Sequence, residues 1–254
     1  MCEEQEFRPD RIFFMRHAES EWNKVGNEMK REGRPPPRMD GVPDHKTPLT
    51  ERGEEQARQT AIAFLENYGT PDIIYHSPYL RTTQTAKIIE QTMRERGSPP
   101  IPLHRDLLLG EQQFGRLDAG VVNAVGMSHE EFQTLQREFQ ARRKQVGKFY
   151  ARPPDGQSWY DVTLNGHSML VKFFRPRWHK KTLLVISHSV TIATYLYLLQ
   201  GREEQATVEY YEGNKLENCG IVHFRHNPTS EFHWDLVEWN KILWQEPLIL
   251  KEPS

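Results

Sequence analysis

The chain has little cysteine, no long apolar run and no excess of charge of either sign. Its 254 residues include only Cys2 and Cys219, too few for a disulfide framework and without metal-ligand spacing, so a reducing cytosol suits it. Nowhere do apolar residues approach the ~18 in succession that mark a membrane span. The opening Met1-Cys2-Glu3-Glu4-Gln5-Glu6 is acidic where a signal peptide is basic and then apolar. A cytoplasmic protein with no membrane partner is the expectation. Lys and Arg number 33 and Asp and Glu 35, a net charge of −2, so no global field draws the chain to nucleic acid. Any anion it binds is held by local geometry. Repeats and Gly/Ser-rich linkers are also missing, which favours one domain, while composition alone leaves the oligomeric state unread.

What is present is an alternation. Strand-like apolar runs at Arg11–Met15, Pro71–His76 and Thr182–Ser187 alternate with helical spacing over Thr50–Asn67, Leu80–Arg96, Ser128–Lys148, Gln157–Phe174 and Val190–Leu199. Cys219–Arg225 and Glu231–Trp239 read as two further strands across the turn Asn227-Pro228-Thr229-Ser230. This is the pattern of an α/β protein with a mostly parallel sheet and an antiparallel C-terminal addition. Val25–Lys46, with Gly33-Arg34-Pro35-Pro36-Pro37-Arg38 inside it, reads as one long loop. Gly201–Asn218 reads as another, and with Ser128–Tyr150 these loops are expected to roof a pocket.

Two strands end on histidine. Ile12-Phe13-Phe14-Met15-Arg16 leads into His17, and Leu183-Leu184-Val185-Ile186-Ser187 into His188. In an open parallel sheet, ligands bind beyond the carboxyl ends of the strands. Arg16 precedes His17 and Asn23 follows it. The backbone from Ser189 onward opens a helix, whose N-terminal amides favour an anion. A third strand leads through His76-Ser77-Pro78-Tyr79-Leu80 to Arg81. Arginine's planar fork suits two phosphate oxygens, so two arginines and two imidazoles make a pocket for a phosphoryl group. A neutral imidazole is a competent nucleophile near pH 7 and needs no metal. The leaving alkoxide needs a proton donor, and Glu111, between Gly110 and Gly115, is the candidate.

Taken singly these residues signal little. A histidine at a strand end is usually packed or solvated, Asn23 reads equally as a helix cap, and Arg81 alone would pair with Glu90 or another surface acid. The remaining histidines show neither His-Glu-x-x-His spacing nor cysteine partners, so no metal and no cofactor is expected. Lys24, Lys30, Arg31, Arg34 and Arg38 either favour substrates with additional negative charge or are solvated loop charges, the commoner case.

Six ordered blocks resemble the histidine phosphatase, or phosphoglycerate mutase-like, superfamily. They are Arg16-His17-Ala18-Glu19-Ser20-Glu21-Trp22-Asn23, Pro48–Gly53, Ser77–Ala86, Glu111–Gly115, Pro153–Ser158 and Ser187–Ile192. Asp44–Thr50 and Gly147–Pro153 look like the broad-range acid phosphatase branch. The resemblance implies a three-layer αβα sandwich in a single domain, with a core of about residues 11–226 and an extension over 227–254. It implies that His17 is the phosphorylated nucleophile, that Arg16, Asn23, Arg81 and His188 form the phosphate pocket with Ser189 at its edge, and that Glu111 is the proton donor. The substrate implied is a small phosphate monoester. Gln112 stands where mutases carry arginine, which places a mutase behind a phosphatase. Ala18 and Ser189 replace common glycines and Gln157 a common glutamate, so a catalytically weakened phospholigand-binding or scaffold protein is the remaining alternative.

Overall fold

The protein is described here from a computed structural model over residues 7–32, 42–118 and 126–244. Its elements in chain order are β1 (Arg11–Arg16), α1 (Glu21–Glu32), α2 (Glu51–Tyr68), β2 (Ile73–His76), α3 (Leu80–Glu95), β3 (Leu103–Arg105), α4 (His129–Val146), α5 (Trp159–Phe173), β4 (Thr182–Ser187), α6 (Ser189–Gln200), α7 (Glu204–Gly213), β5 (Ile221–His226) and β6 (Trp234–Lys241). One six-stranded sheet runs in the order β3-β2-β4-β1-β5-β6. β1 to β4 are parallel to one another, while β5 pairs antiparallel with both β1 and β6. The expected α/β fold with a mostly parallel sheet is therefore what the chain adopts. β6 completes the sheet from within the stretch expected as an extension.

The two central strands are buried on both faces, which explains their continuous apolar sequences. Ile12–Met15 and Leu183–Ile186 are fully buried. Alternate side chains enter opposite layers. Phe13, Met15, Leu184 and Ile186 pack with Ala57, Ala61 and Phe64 of α2 and Ala86, Ile89 and Met93 of α3. Ile12, Phe14, Leu183 and Val185 pack with Met169 and Phe173 of α5 and Ile192, Tyr195 and Leu196 of α6. Three layers follow from that alternation. Each such side chain contributes about 1.5–3 kcal/mol through burial.

Helix starts follow local chemistry. Thr50 caps α2 by accepting from the Gly53 amide at 2.9 Å, and Ser128 and Ser158 form reciprocal capping boxes with Glu131 and Asp161. Two expected loops contain helices. The reading of Val25–Lys46 as a loop fails over Val25–Glu32, which belongs to α1. There Ser20 Oγ accepts from the Asn23 amide at 3.3 Å and Asn23 Oδ1 accepts from the Ser20 amide at 3.2 Å, a reciprocal cap that starts the helix immediately after the first catalytic-looking strand. Residues 33–41, with the proline run, lie outside the described residues. Gly201–Asn218 contains α7, whose buried Thr207, Val208 and Tyr211 lie on one helical face.

Candidate active site

The register of the central strands brings the two histidines together. Arg16 of β1 stands opposite Ser187 of β4, and His76 of β2 opposite Ile186. His17 and His188 are each the next residue of their strand and emerge side by side at the carboxyl edge. The ladder continues past the strands: the His17 amide donates to Ser187 O at 3.0 Å and the Ser77 amide to Ile186 O at 3.1 Å. The imidazole centroids are 5.2 Å apart.

Arg81, in the first turn of α3, ties the pair together. Its Nε donates to His17 Nε2 at 3.1 Å, and its Nη2 lies 3.4 Å from His188 Nδ1. Its fork is met by a carboxylate, with Nη1 donating to Asp44 Oδ1 at 2.9 Å and Nη2 to Oδ2 at 3.1 Å. Arg81 does not pair with Glu90, which faces Arg94 at 3.8 Å. Its side chain is 5% exposed and that of Asp44 26%, so the pair lies at the mouth of the site. The Tyr79 ring lies under the guanidinium at 4.8 Å and against His188 at 4.7 Å.

The ring nitrogens have definite roles. Arginine only donates, so His17 Nε2 is an acceptor and Nδ1 carries the proton, which it gives to Ala18 O at 2.7 Å. Burial, then the Arg81 and Arg16 charges, hold the His17 pKa well below 6.5. His188 is lowered in the same way by burial and then Arg81. Ser77 Oγ lies 2.8 Å from His188 Nε2. A hydroxyl there can accept from Nε2–H, or donate to Nε2 and leave an Nδ1–H to face an anion.

Arg16 donates through Nη1 to Leu216 O at 2.7 Å, while its buried Nε has no partner, an orphan donor that an anion would satisfy. Arg16, Asn23 and Ser189 line one cavity of about 550 Å³ beside the histidines. Asn23 Oδ1 serves the α1 cap and accepts from Asn218 Nδ2 at 3.1 Å, and Asn218 also donates to His17 O at 2.9 Å. The amide N–H groups of Asn23 are what it can offer a ligand. Ser189 Oγ accepts from Tyr211 at 3.1 Å. Neither Ala18 nor Ser189 has positive φ, so both residues occupy their positions without backbone strain.

Glu111 is held from two sides. Upstream, Ser187 Oγ donates to Leu109 O at 2.8 Å and Thr191 Oγ1 to Gly110 O at 2.7 Å. Downstream, Gln157 Oε1 accepts from the Gln113 amide at 3.2 Å, and Gln112 Nε2 donates to Gln157 O at 2.6 Å. The two segments meet at glycines: a Cβ on Gly115, whose φ is +56°, would lie 2.2 Å from Pro154 O, and one on Gly156 would lie 2.5 Å from Gln113 O. Burial, resisted by the Gln112 amide and Arg81, pushes the Glu111 carboxyl up to about 7. An acid of that strength is half protonated at neutral pH.

All seven residues singled out in the sequence therefore lie around one strand edge. His17, His188 and Arg81 touch directly, Glu111 is near enough to Arg16 and Arg81 to feel their charge, and Arg16, Asn23 and Ser189 form the adjoining wall. Sequence reasoning assigned no role to Ser77, Asp44 or Gln157. Ser77 had a local signal, since it directly follows β2 at the same edge; Asp44 and Gln157 stand in blocks that resemble the family, but they act across the fold, and nothing local to them points to Arg81 or to the Gln113 amide. Lys24 and Arg31 line a separate cavity with Glu19, Glu21 and Glu28, and Arg34 and Arg38 lie outside the described residues. Among the described residues no three His, Cys, Asp or Glu side chains converge as a metal cage, and no helix is long and apolar enough to cross a membrane.

Residues 12–242 match the histidine phosphatase superfamily (branch 1), and the chain belongs to that family. It is 26% identical to the phosphoglycerate mutase-like protein AT74H of Arabidopsis thaliana, with 89% of this chain and 76% of the relative covered. Bacillus stearothermophilus YhfR has the same fold, with a TM-score of 0.67 at 20% identity over 93% of this chain and 99% of that one. So does the alpha-ribazole phosphatase of Shigella flexneri, with a TM-score of 0.65 at 18% identity over 91% and 96%.

Proposed function

We propose that the protein is a phosphatase that hydrolyses small phosphate monoesters through a phosphohistidine on His17, most like the broad-range acid phosphatases of its family. The observation that carries this reading is the Arg81 Nε to His17 Nε2 contact at 3.1 Å, because it marks Nε2 as the unprotonated nitrogen of a neutral imidazole, whose lone pair is freed for attack once a phosphoryl oxygen takes over the Arg81 N–H. Nε2 attacks phosphorus, the P–O bond to the leaving group breaks, and Glu111 transfers its proton to the departing oxygen. Water then attacks phosphorus, the P–Nε2 bond breaks, and the water's proton returns to the Glu111 carboxylate as inorganic phosphate forms. Arg16, Arg81, Asn23 and His188 hold the non-bridging oxygens, with Ser189 beside them, and supply positive charge where the transition state gathers negative charge.

Placement of the Glu111 pKa at about 7 supports a general acid that works at neutral and acidic pH. The absence of strain at Ala18 and Ser189 weighs against a decayed site. A phosphoglycerate mutase is the competing reading, since one relative is named a phosphoglycerate mutase and another phosphoglycerate mutase-like. Against it, the position where mutases carry arginine is Gln112, whose amide is spent on Gln157 O. The deciding experiment is rapid quench with a labelled monoester, followed by incubation with 3-phosphoglycerate and a bisphosphoglycerate primer. Transient label on His17 and release of inorganic phosphate are expected. Formation of 2-phosphoglycerate would assign a mutase, and a folded protein with neither label nor turnover would assign a binding role.

A further inference from the structure

Beyond the phosphate pocket, a cavity of about 880 Å³ opens along Asp44, Tyr79 and Gln112. Its position makes it the space into which a leaving group on a bound phosphate would extend. One side is apolar, formed by Tyr79, Phe114 and Met127. Among the described residues four carboxylates line it, Asp44 among them, against the one guanidinium of Arg116 and the imidazole of His45. Of the loop cations among the described residues, Lys24 and Arg31 line the separate cavity beside Glu19.

Asp44 occupies the junction of the two spaces. It lines the cavity and grips the phosphate-binding guanidinium through both oxygens, at 2.9 and 3.1 Å. Asp44 takes up both Nη1 N–H groups, through its backbone O at 2.8 Å and Oδ1, and one on Nη2 through Oδ2, which leaves the Nε and Nη2 donors facing His17 and His188 for the phosphoryl group. An anionic group on the leaving-group side meets a carboxylate held in place instead of a free cation. At a separation of roughly 7 Å and an effective dielectric of about 20, with the Arg81 charge behind the carboxylate offsetting part of the repulsion, binding of an anion is disfavoured by about threefold or more. A neutral or cationic leaving group with a ring incurs no such repulsion and gains the Tyr79, Phe114 and Met127 wall.

Resting on the phosphatase reading for its catalytic half, we propose that Asp44 is a specificity-determining residue that rejects monoesters with an anionic leaving group, and that the adjoining cavity takes uncharged or cationic, ring-bearing ones. This substrate class excludes phosphoglycerates and sugar bisphosphates as good substrates.

The test uses a matched pair, 4-carbamoylphenyl phosphate and 4-carboxyphenyl phosphate, alike in size and different in charge. Their kcat/KM ratio is measured for the wild-type protein and for Asp44→Asn, a comparison in which the differing acidity of the two phenols cancels. The corresponding benzylphosphonates, which cannot turn over, are titrated by calorimetry in parallel. The neutral member is expected to lead by about threefold or more in both measurements in the wild type, and the ratio to fall by about tenfold in Asp44→Asn, where the Arg81 charge is uncovered. A wild-type ratio near one, or a ratio untouched by the substitution, overturns the proposal. Equal loss of both members in Asp44→Asn also overturns it, because Asp44 would then only hold Arg81 in place. Phosphonate discrimination without any turnover upholds the selectivity and removes the phosphatase. Failure of both phosphonates to bind removes the cavity as a substrate site.

Discussion

Arg81 donates from Nε to Nε2 of His17 across 3.1 Å, and the opposite nitrogen of the same ring donates to the Ala18 carbonyl across 2.7 Å. The two bonds hold the imidazole in one tautomer and one orientation, with the Nε2 lone pair toward Arg81. Replacing His17 by alanine is expected to abolish both the phosphoenzyme and turnover. Arg81→Lys retains charge but loses the planar fork and the Nε contact, so kcat/KM should fall by about 10²–10³-fold. Retention of more than a third of wild-type activity in Arg81→Lys would sink the orienting role.

The pH profile follows from the two shifted groups. Burial lowers His17 well below 6.5, so it stays neutral and nucleophilic into acidic solution. Burial raises Glu111 to about 7, so the protonated acid is lost as pH rises through that value. A profile of kcat/KM with its acid limb well below pH 6.5 and its alkaline limb near 7 is expected, and Glu111→Gln should erase the alkaline limb.

Leaving-group dependence isolates the general acid. Glu111→Gln should slow hydrolysis of alkyl phosphates by about 10²–10⁴-fold and p-nitrophenyl phosphate far less, because nitrophenolate departs without a proton. Equal losses on the two substrates would refute the assignment of Glu111 as acid.

The same carboxyl makes a stability prediction of definite sign. With a pKa of about 4.5 when unfolded and about 7 when folded, Glu111 ionises first in the unfolded chain, so the folded state loses stability as pH rises from 4.5 to 7. Glu111→Gln should therefore stabilise the protein by on the order of 1–3 kcal/mol at pH 8 and have little effect at pH 4. Thermal unfolding at the two pH values measures it.

The loop that carries Glu111 is tested through its glycine. Gly115→Ala places a Cβ 2.2 Å from Pro154 O at a φ of +56°, which forces the 111–117 and 153–157 segments apart. Loss of alkyl phosphatase activity by about tenfold or more is expected, while p-nitrophenyl phosphate turnover falls less. A uniform loss on both esters would show that the loop does not position the acid.

Much of the fold was legible because its signals are local. Continuous apolar runs at 12–15 and 183–186 read as strands, and Thr50 and Ser128 open expected helices whose caps they prove to be, while the helix expected from Gln157 is capped one residue later by Ser158. The helix over Glu21–Glu32 was missed because the proline run at 35–37 drew the loop boundary too far back. The reciprocal Ser20–Asn23 cap that starts it was present in the sequence but was read as an anion ligand or a lone cap.

By itself the sequence determined that two strands end on histidine, that arginines stand one residue before His17 and four residues after Ser77, and that a carboxylate sits between glycines at Glu111. Only the tertiary structure decided what those residues do to each other. Pairing of Arg16 with Ser187 sets the histidines side by side, the reach of Arg81 selects the His17 tautomer, desolvation sets the strength of Glu111, and Asp44 closes on Arg81 from 37 residues away. Identity and order are written along the chain, whereas tautomer, acidity and charge pairing depend on distances between segments far apart in it.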